Sequence, residues 1–134
     1  WEYKPNHLFY GFPDLGNGVK IAIHHRGTAA TADTINRKVS KQEVIEITAL
    51  AKNHFDSELH YRSSAVCMYT NTPDEHFIID YHPDNRNIII ASACSGHGFK
   101  FSSAIGKILS EMALEEKLSF DIGKFRLGRK MQPG

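Results

Sequence analysis

Two cysteines, Cys67 and Cys94, are all that the 134-residue sequence contains. That is too few for a disulfide framework. Their usage suits a reducing compartment, and the expected location is the cytoplasm. Eight histidines are present, yet no CxxC or HxxxH spacing occurs, which argues against a structural zinc site. No apolar run is long enough to cross a bilayer, so no membrane is expected among the partners. Neither sign of charge is in excess. Sixteen Lys and Arg against fifteen Asp and Glu leave +1, without blocks of like charge, and nothing points to nucleic acid. No GxGxxG follows a strand and no Walker-type loop occurs, so the chain carries no nucleotide-binding fingerprint of its own. Repeats and low-complexity segments are also missing. The opening Trp1-Glu2-Tyr3-Lys4-Pro5 has no signal-peptide character and no initiating methionine, which predicts a fragment or an excised domain.

What is present suffices for one globular domain spanning 1–134. Hydrophobic residues make up 41% of the chain, and this length can bury a core. His7-Leu8-Phe9-Tyr10-Gly11-Phe12-Pro13 reads as a short aromatic strand. Asp14-Leu15-Gly16-Asn17-Gly18 is turn chemistry. Val19-Lys20-Ile21-Ala22-Ile23-His24 alternates, placing Lys20, Ala22 and His24 on one face, and the two strands predict a hairpin. By itself that face reads first as the solvated side of a half-buried strand. Ser40-Lys41-Gln42-Glu43 matches a capping box and predicts a helix over 41–53.

Residues 58–70 favour strand, with Val66, Met68 and Thr70 on one face and Cys67 and Tyr69 on the other. Strands at 76–81 and 87–94, joined by a turn at 82–86, close an expected antiparallel meander. After it comes Ser95-Gly96-His97-Gly98-Phe99-Lys100, which leads into an amphipathic helix over 101–116. Gly98 lacks a Cβ and admits close approach to its backbone. The following helix start offers unpaired N–H groups and partial positive charge, to which Lys100 adds a full one. Such a turn suits an anion, although an ordinary strand-to-helix connection fits it as well. The tail 120–134 is mixed, with Phe125 and Leu127 as candidate anchors. The fold class is α+β: a mostly antiparallel (mixed) sheet covered by two main helices.

Two motifs are more specific. Cys67-Met68-Tyr69-Thr70-x-Thr72-x-Asp74-Glu75-His76-Phe77-Ile78-Ile79-Asp80 and Ser95-Gly96-His97-Gly98-Phe99-Lys100-Phe101 resemble the monomeric sarcosine oxidase and N-methyltryptophan oxidase family of flavin-dependent amine oxidases. Tyr10-Gly11-Phe12-Pro13 and the Lys20-to-His24 segment fit the same pattern, so the resemblance covers about 8–129. It extends to the C-terminal part of the family's chain only; the dinucleotide-binding half of the family has no counterpart here.

The resemblance implies FAD as cofactor, with Cys67 forming a thioether to the flavin ring; a thiolate is the nucleophile such a bond needs. A small buried hydrophobe is the alternative for Cys67. It further implies that Gly96, His97, Gly98, Phe99 and Lys100 bind the cofactor. Lys20, His24, Tyr10 and Tyr69 take catalytic roles, and Tyr10, Tyr69 and Lys100 contact substrate; for the tyrosines, core packing is the competing reading. The implied substrate-side domain would act with its missing dinucleotide-binding half on an N-methyl amino acid, with O₂ as oxidant and H₂O₂ as product. The rival expectation is a catalytically silent fragment without cofactor, a binding or self-associating module held by exposed edge strands.

Overall fold

The structure is a computed structural model describing residues 2–5, 7–25, 27–56 and 58–131. The chain divides into two compact units, Trp1–Met68 and Tyr69–Gly134. The first holds a three-stranded antiparallel sheet, β1 (Glu2–Lys4), β2 (His7–Phe12) and β3 (Lys20–Ile23), followed by helix α1 (Lys41–Lys52).

The predicted hairpin is present, with Phe9 opposite Ile23, Tyr10 opposite Ala22, Gly11 opposite Ile21 and Phe12 opposite Lys20. Its loop is tied by the Asp14 carboxylate, which accepts from the N–H groups of Gly16 (2.7 Å) and Gly18 (2.8 Å). Both glycines have positive φ, the conformation this loop needs. Helix α1 starts where the capping box placed it. The Ser40 hydroxyl accepts from the Glu43 N–H (3.2 Å), and the Glu43 carboxylate accepts from the Ser40 N–H (2.7 Å). Phe9 is fully buried and its ring meets His54, just past α1, at 4.7 Å between centroids.

The second unit holds an antiparallel pair, β4 (Ile78–His82) and β5 (Asn85–Ser92), and helix α2 (Ser102–Ala113), which a 3₁₀ turn at Phe99–Phe101 precedes. Ile105, Ile108 and Met112 of α2 pack with Phe77, Ile79 and Ile122 into the core. The spacing of three and four is that of one helix face. Helix α2 ends at Ala113 with Leu114 as its cap, and Glu115 turns into the left-handed region at φ 55°, which breaks the helical ladder.

The α+β class and the antiparallel pairing hold, but the strands form two sheets rather than one meander. Residues 58–70 contain no strand, contrary to expectation. Strand propensity is realised only against a partner edge, and none among the described residues pairs with this segment. The turn between β4 and β5 is tighter than expected, with His82 directly opposite Asn85.

The C-terminal tail is held by Ile122 in the core, by the expected anchor Phe125 packed against it, and by charge. Arg129 binds Asp74 through two nitrogens, Nε to Oδ2 (2.6 Å) and Nη2 to Oδ1 (2.9 Å). That guanidinium holds the Asp74 carboxyl well below the usual carboxylate range. Asp80 accepts from Arg126 (2.6 Å) and from the Leu127 N–H (3.0 Å). Burial pushes the Asp80 carboxyl up, but these donors and the Tyr81 N–H outweigh it and its pKa is lowered.

Glu111 is 4% exposed in the last turn of α2. Lys107 approaches it at 2.8 Å, and the hydroxyl and N–H of Ser119 both donate to it. The Lys107 ammonium first, then Ser119, lowers its pKa from 4.5 to about 2. A folded-state pKa below the unfolded one stabilises above the unfolded value and is lost as pH falls through the folded one. Between 4.5 and about 2, acid should therefore erode stability through Glu111. Melting temperatures of wild type and Glu111→Gln, followed into this range, should converge as the pH drops. A constant gap between them would deny Glu111 this role.

Candidate active site

Residues directly opposite in an antiparallel pair share a face. Tyr10, Phe12, Lys20 and Ala22 therefore lie on one side of the β2–β3 hairpin, and Phe9, Ile21 and Ile23 on the other. The buried Phe9 marks the second side as the packed one. On the first side Phe12 is 54% exposed and Lys20 is exposed. The Lys20 ammonium sits 5.5 Å from the Phe12 ring centroid, a cation–π contact, and among the described residues it has no carboxylate partner. The Tyr10 ring meets Phe12 edge-on at 6.0 Å and His24 at 6.2 Å. The structure thus gathers Tyr10, Lys20 and His24 on one aromatic-lined face, as the alternation of the sequence requires. Gly11 is needed between them, because a Cβ there would stand 2.9 Å from the Lys20 carbonyl oxygen.

In the second unit, the turn after β5 is built by backbone that leaves the usual regions. Ser95 has φ 60° and Gly96 φ 73°. Gly98 has an ordinary helical φ of −69°. Its missing Cβ is taken up by the chain itself: a Cβ would lie 2.0 Å from the Ala93 carbonyl oxygen. The close approach expected at Gly98 is therefore that of Ala93, not room for a ligand. Beyond it Phe99 is 94% exposed and Lys100 is exposed, its ammonium 5.3 Å from the Phe101 ring. The first N–H groups of this helical segment have no partner inside it.

His97, which the resemblance counts among the cofactor-binding residues, has its ring engaged in a turn and packing contact. Its Nδ1 lies 2.8 Å from the Ser95 carbonyl oxygen. A carbonyl only accepts, so Nδ1 carries the proton. The ring packs against Phe77 at 4.9 Å.

Cys67 is an exposed free thiol at the end of the first unit, in the irregular segment. Tyr69 is half-buried at the start of the second. Within that second unit, the Ser95 N–H donates to the Thr70 carbonyl at 2.7 Å, which joins the Tyr69 segment to the turn that leads to Lys100. Sequence reading missed Ser95, Thr72 and the Asp74–Arg129 pair. The two serine and threonine hydroxyls gave no periodic signal, and the pair spans 55 residues.

The chain is similar to known proteins along most of its length. The family described as DAO, FAD dependent oxidoreductase, matches residues 2–112. Peroxisomal sarcosine oxidase from mouse is 54% identical over 137 residues, covering 96% of this chain and 34% of the relative. Monomeric sarcosine oxidase from a Bacillus species is 44% identical over 131 residues, 93% of this chain and 33% of the relative. N-methyl-L-tryptophan oxidase from Escherichia coli is 36% identical over 125 residues, 90% of this chain and 33% of the relative. The chain spans about a third of the length of these curated relatives. With five-sixths of its length inside the family match, the chain belongs to the FAD-dependent oxidoreductase family.

Proposed function

We propose that the chain is the substrate-side and flavin-covering portion of an FAD-dependent oxidase of secondary amines, acting on sarcosine or another N-methyl amino acid. We take both units as parts of one substrate-side domain, the dinucleotide-binding part lying in the remainder of the full-length enzyme. The observation that carries the reading is the hairpin face on which Tyr10, Lys20 and His24 stand together, with an exposed cation among aromatic rings.

The donor set suits a flavin. Cys67 offers an exposed thiol, the nucleophile for a thioether. The helix start at Gly96, His97, Gly98 and Phe99 offers backbone N–H groups to an electron-rich ring edge. The chemistry that FAD supplies when bound is acceptance of a hydride equivalent from the amine and delivery of two electrons to O₂, giving H₂O₂.

The chain's own residues would do the rest. Lys100 would pair with the substrate carboxylate. Tyr10 and Tyr69 would line the N-methyl group, and His24 would hold the Tyr10 ring at the site. A protonated amine has no lone pair to release, so the reactive form is the neutral one. Lys20 and Lys100 would favour it, because cations disfavour a further positive charge. Lys20 would also stabilise negative charge developing on O₂ as it is reduced. A compartment that keeps thiols reduced fits Cys67; the cytoplasm is one, and the mouse relative's name adds the peroxisome.

Intact mass of the denatured full-length enzyme tests the reading. Wild type should keep one flavin per chain, and Cys67→Ala should lose it to the supernatant. Flavin retained by Cys67→Ala would move the linkage elsewhere. A bare mass and a colourless wild type would favour a cofactor-free module instead.

A further inference from the structure

We propose that Ser95, together with Thr72, is a positioning residue that clasps the Tyr69-Thr70 segment onto the turn leading to Lys100. It thereby fixes the spacing of the groups this unit offers to flavin and substrate. The inference rests on the flavin reading above and goes beyond it, since neither hydroxyl belongs to the residues given a chemical role.

Ser95 is 0% exposed, and its φ of 60° is a conformation that glycine adopts more easily than serine. A side chain kept there at conformational cost needs a reason, and the hydrogen bonds supply it. The Ser95 N–H donates to the Thr70 carbonyl (2.7 Å). The Ser95 hydroxyl accepts from the Thr72 N–H (3.3 Å) and lies 3.4 Å from the Thr72 hydroxyl. The Thr72 hydroxyl gives its proton to the His76 carbonyl (2.6 Å). The Ser95 hydroxyl is therefore the donor to Thr72, and the chain of bonds runs one way: Ser95 to Thr72 to His76. Aligned hydroxyls of this kind strengthen one another away from water. On the other side, the Ser95 carbonyl accepts from His97 (2.8 Å).

These bonds matter because they join an irregular segment to the turn after β5. Residues 69–72 belong to no strand. Tyr69 immediately precedes the clasped Thr70. Lys100 follows the clasped turn, which Ala93 already packs against Gly98. Loosening the clasp leaves both side chains chemically intact but displaced, and small displacements of positioning groups cost large factors in rate.

The test uses the full-length enzyme with Ser95→Ala, Thr72→Val and Thr72→Ser. Three quantities are measured: amide exchange at Ser95 and Thr72, the rate at which added FAD becomes covalently attached to apoenzyme, and the affinity for acetate read from the flavin spectrum. Ser95→Ala and Thr72→Val should expose both amides, slow attachment and weaken acetate binding, each by about tenfold, whereas Thr72→Ser keeps its hydroxyl and stays near wild type. Should Ser95→Ala not fold, the two Thr72 variants decide. Variants that melt earlier but attach FAD and bind acetate as wild type does would overturn the proposal, leaving a purely structural role. A wild type without attached flavin, whose variants still lose amide protection, would remove the flavin reading while upholding the clasp.

Discussion

Replacing Lys20 by methionine in the full-length enzyme is expected to slow O₂ consumption by roughly 10²–10³-fold, the size of effect seen when one group stabilising a developing anion is removed. Anaerobic bleaching of the flavin by an N-methyl amino acid should change far less. The asymmetry follows from where charge develops. Reduction of O₂ places negative charge on an oxygen that carried none, and a cation fixed beforehand stabilises it without reorganising water. The hairpin provides that fixation. Lys20 stands opposite Phe12 in register, and its ammonium lies over the Phe12 ring. Methionine keeps an unbranched apolar stem to pack on that ring, so the change removes charge with little loss of contact. Stopped-flow traces in which reduction and reoxidation slow by the same factor would show that Lys20 acts on something other than oxygen.

Gly98→Ala should destabilise the second unit by more than about 3 kcal/mol, beyond the ordinary cost of overpacking. The added methyl would lie 2.0 Å from the Ala93 carbonyl oxygen and 2.8 Å from its carbonyl carbon. Both are backbone atoms that follow directly on β5, so neither yields by a side-chain rotation. The φ of −69° excludes the usual explanation for a glycine, since alanine adopts that angle freely. Gly106→Ala is the matched control. It lies within α2, nothing would meet its Cβ within 4 Å, and it should gain roughly 0.8–1 kcal/mol from helix propensity. Urea midpoints at constant slope measure both. A Gly98→Ala protein as stable as wild type would mean that Ala93 does not pack against the turn in solution.

The Gly98 result bears on how the motif is read. Glycine-rich turns before helices invite the idea of space left for a ligand. Here the space at Gly98 is used by the chain's own strand end, and what remains for a ligand is the exposed surface beyond it, Phe99 and Lys100. The glycine lets the strand end and the helix start meet closely.

The sequence by itself determined what depends on neighbours a few residues apart. The capping box at Ser40 and Glu43, the Asp14 loop, the Lys20–His24 alternation and the apolar face of α2 are local patterns. Their physical cause, whether a cap, an Asx-type loop or a strand or helix period, lies within one or two turns of chain. Tertiary structure alone decided what depends on partners far along the chain. Residues 58–70 have strand composition but no strand, because pairing needs an edge that composition does not report. Ser95 and Thr72 look like solvent-facing hydroxyls until a contact across 23 residues buries them. Arg126 and Arg129 stand in a tail of mixed composition, and only the fold brings them to Asp80 and Asp74, 46 and 55 residues away. A hydrogen bond is specified by two positions at once, and where those positions are distant no pattern along the sequence marks the pair.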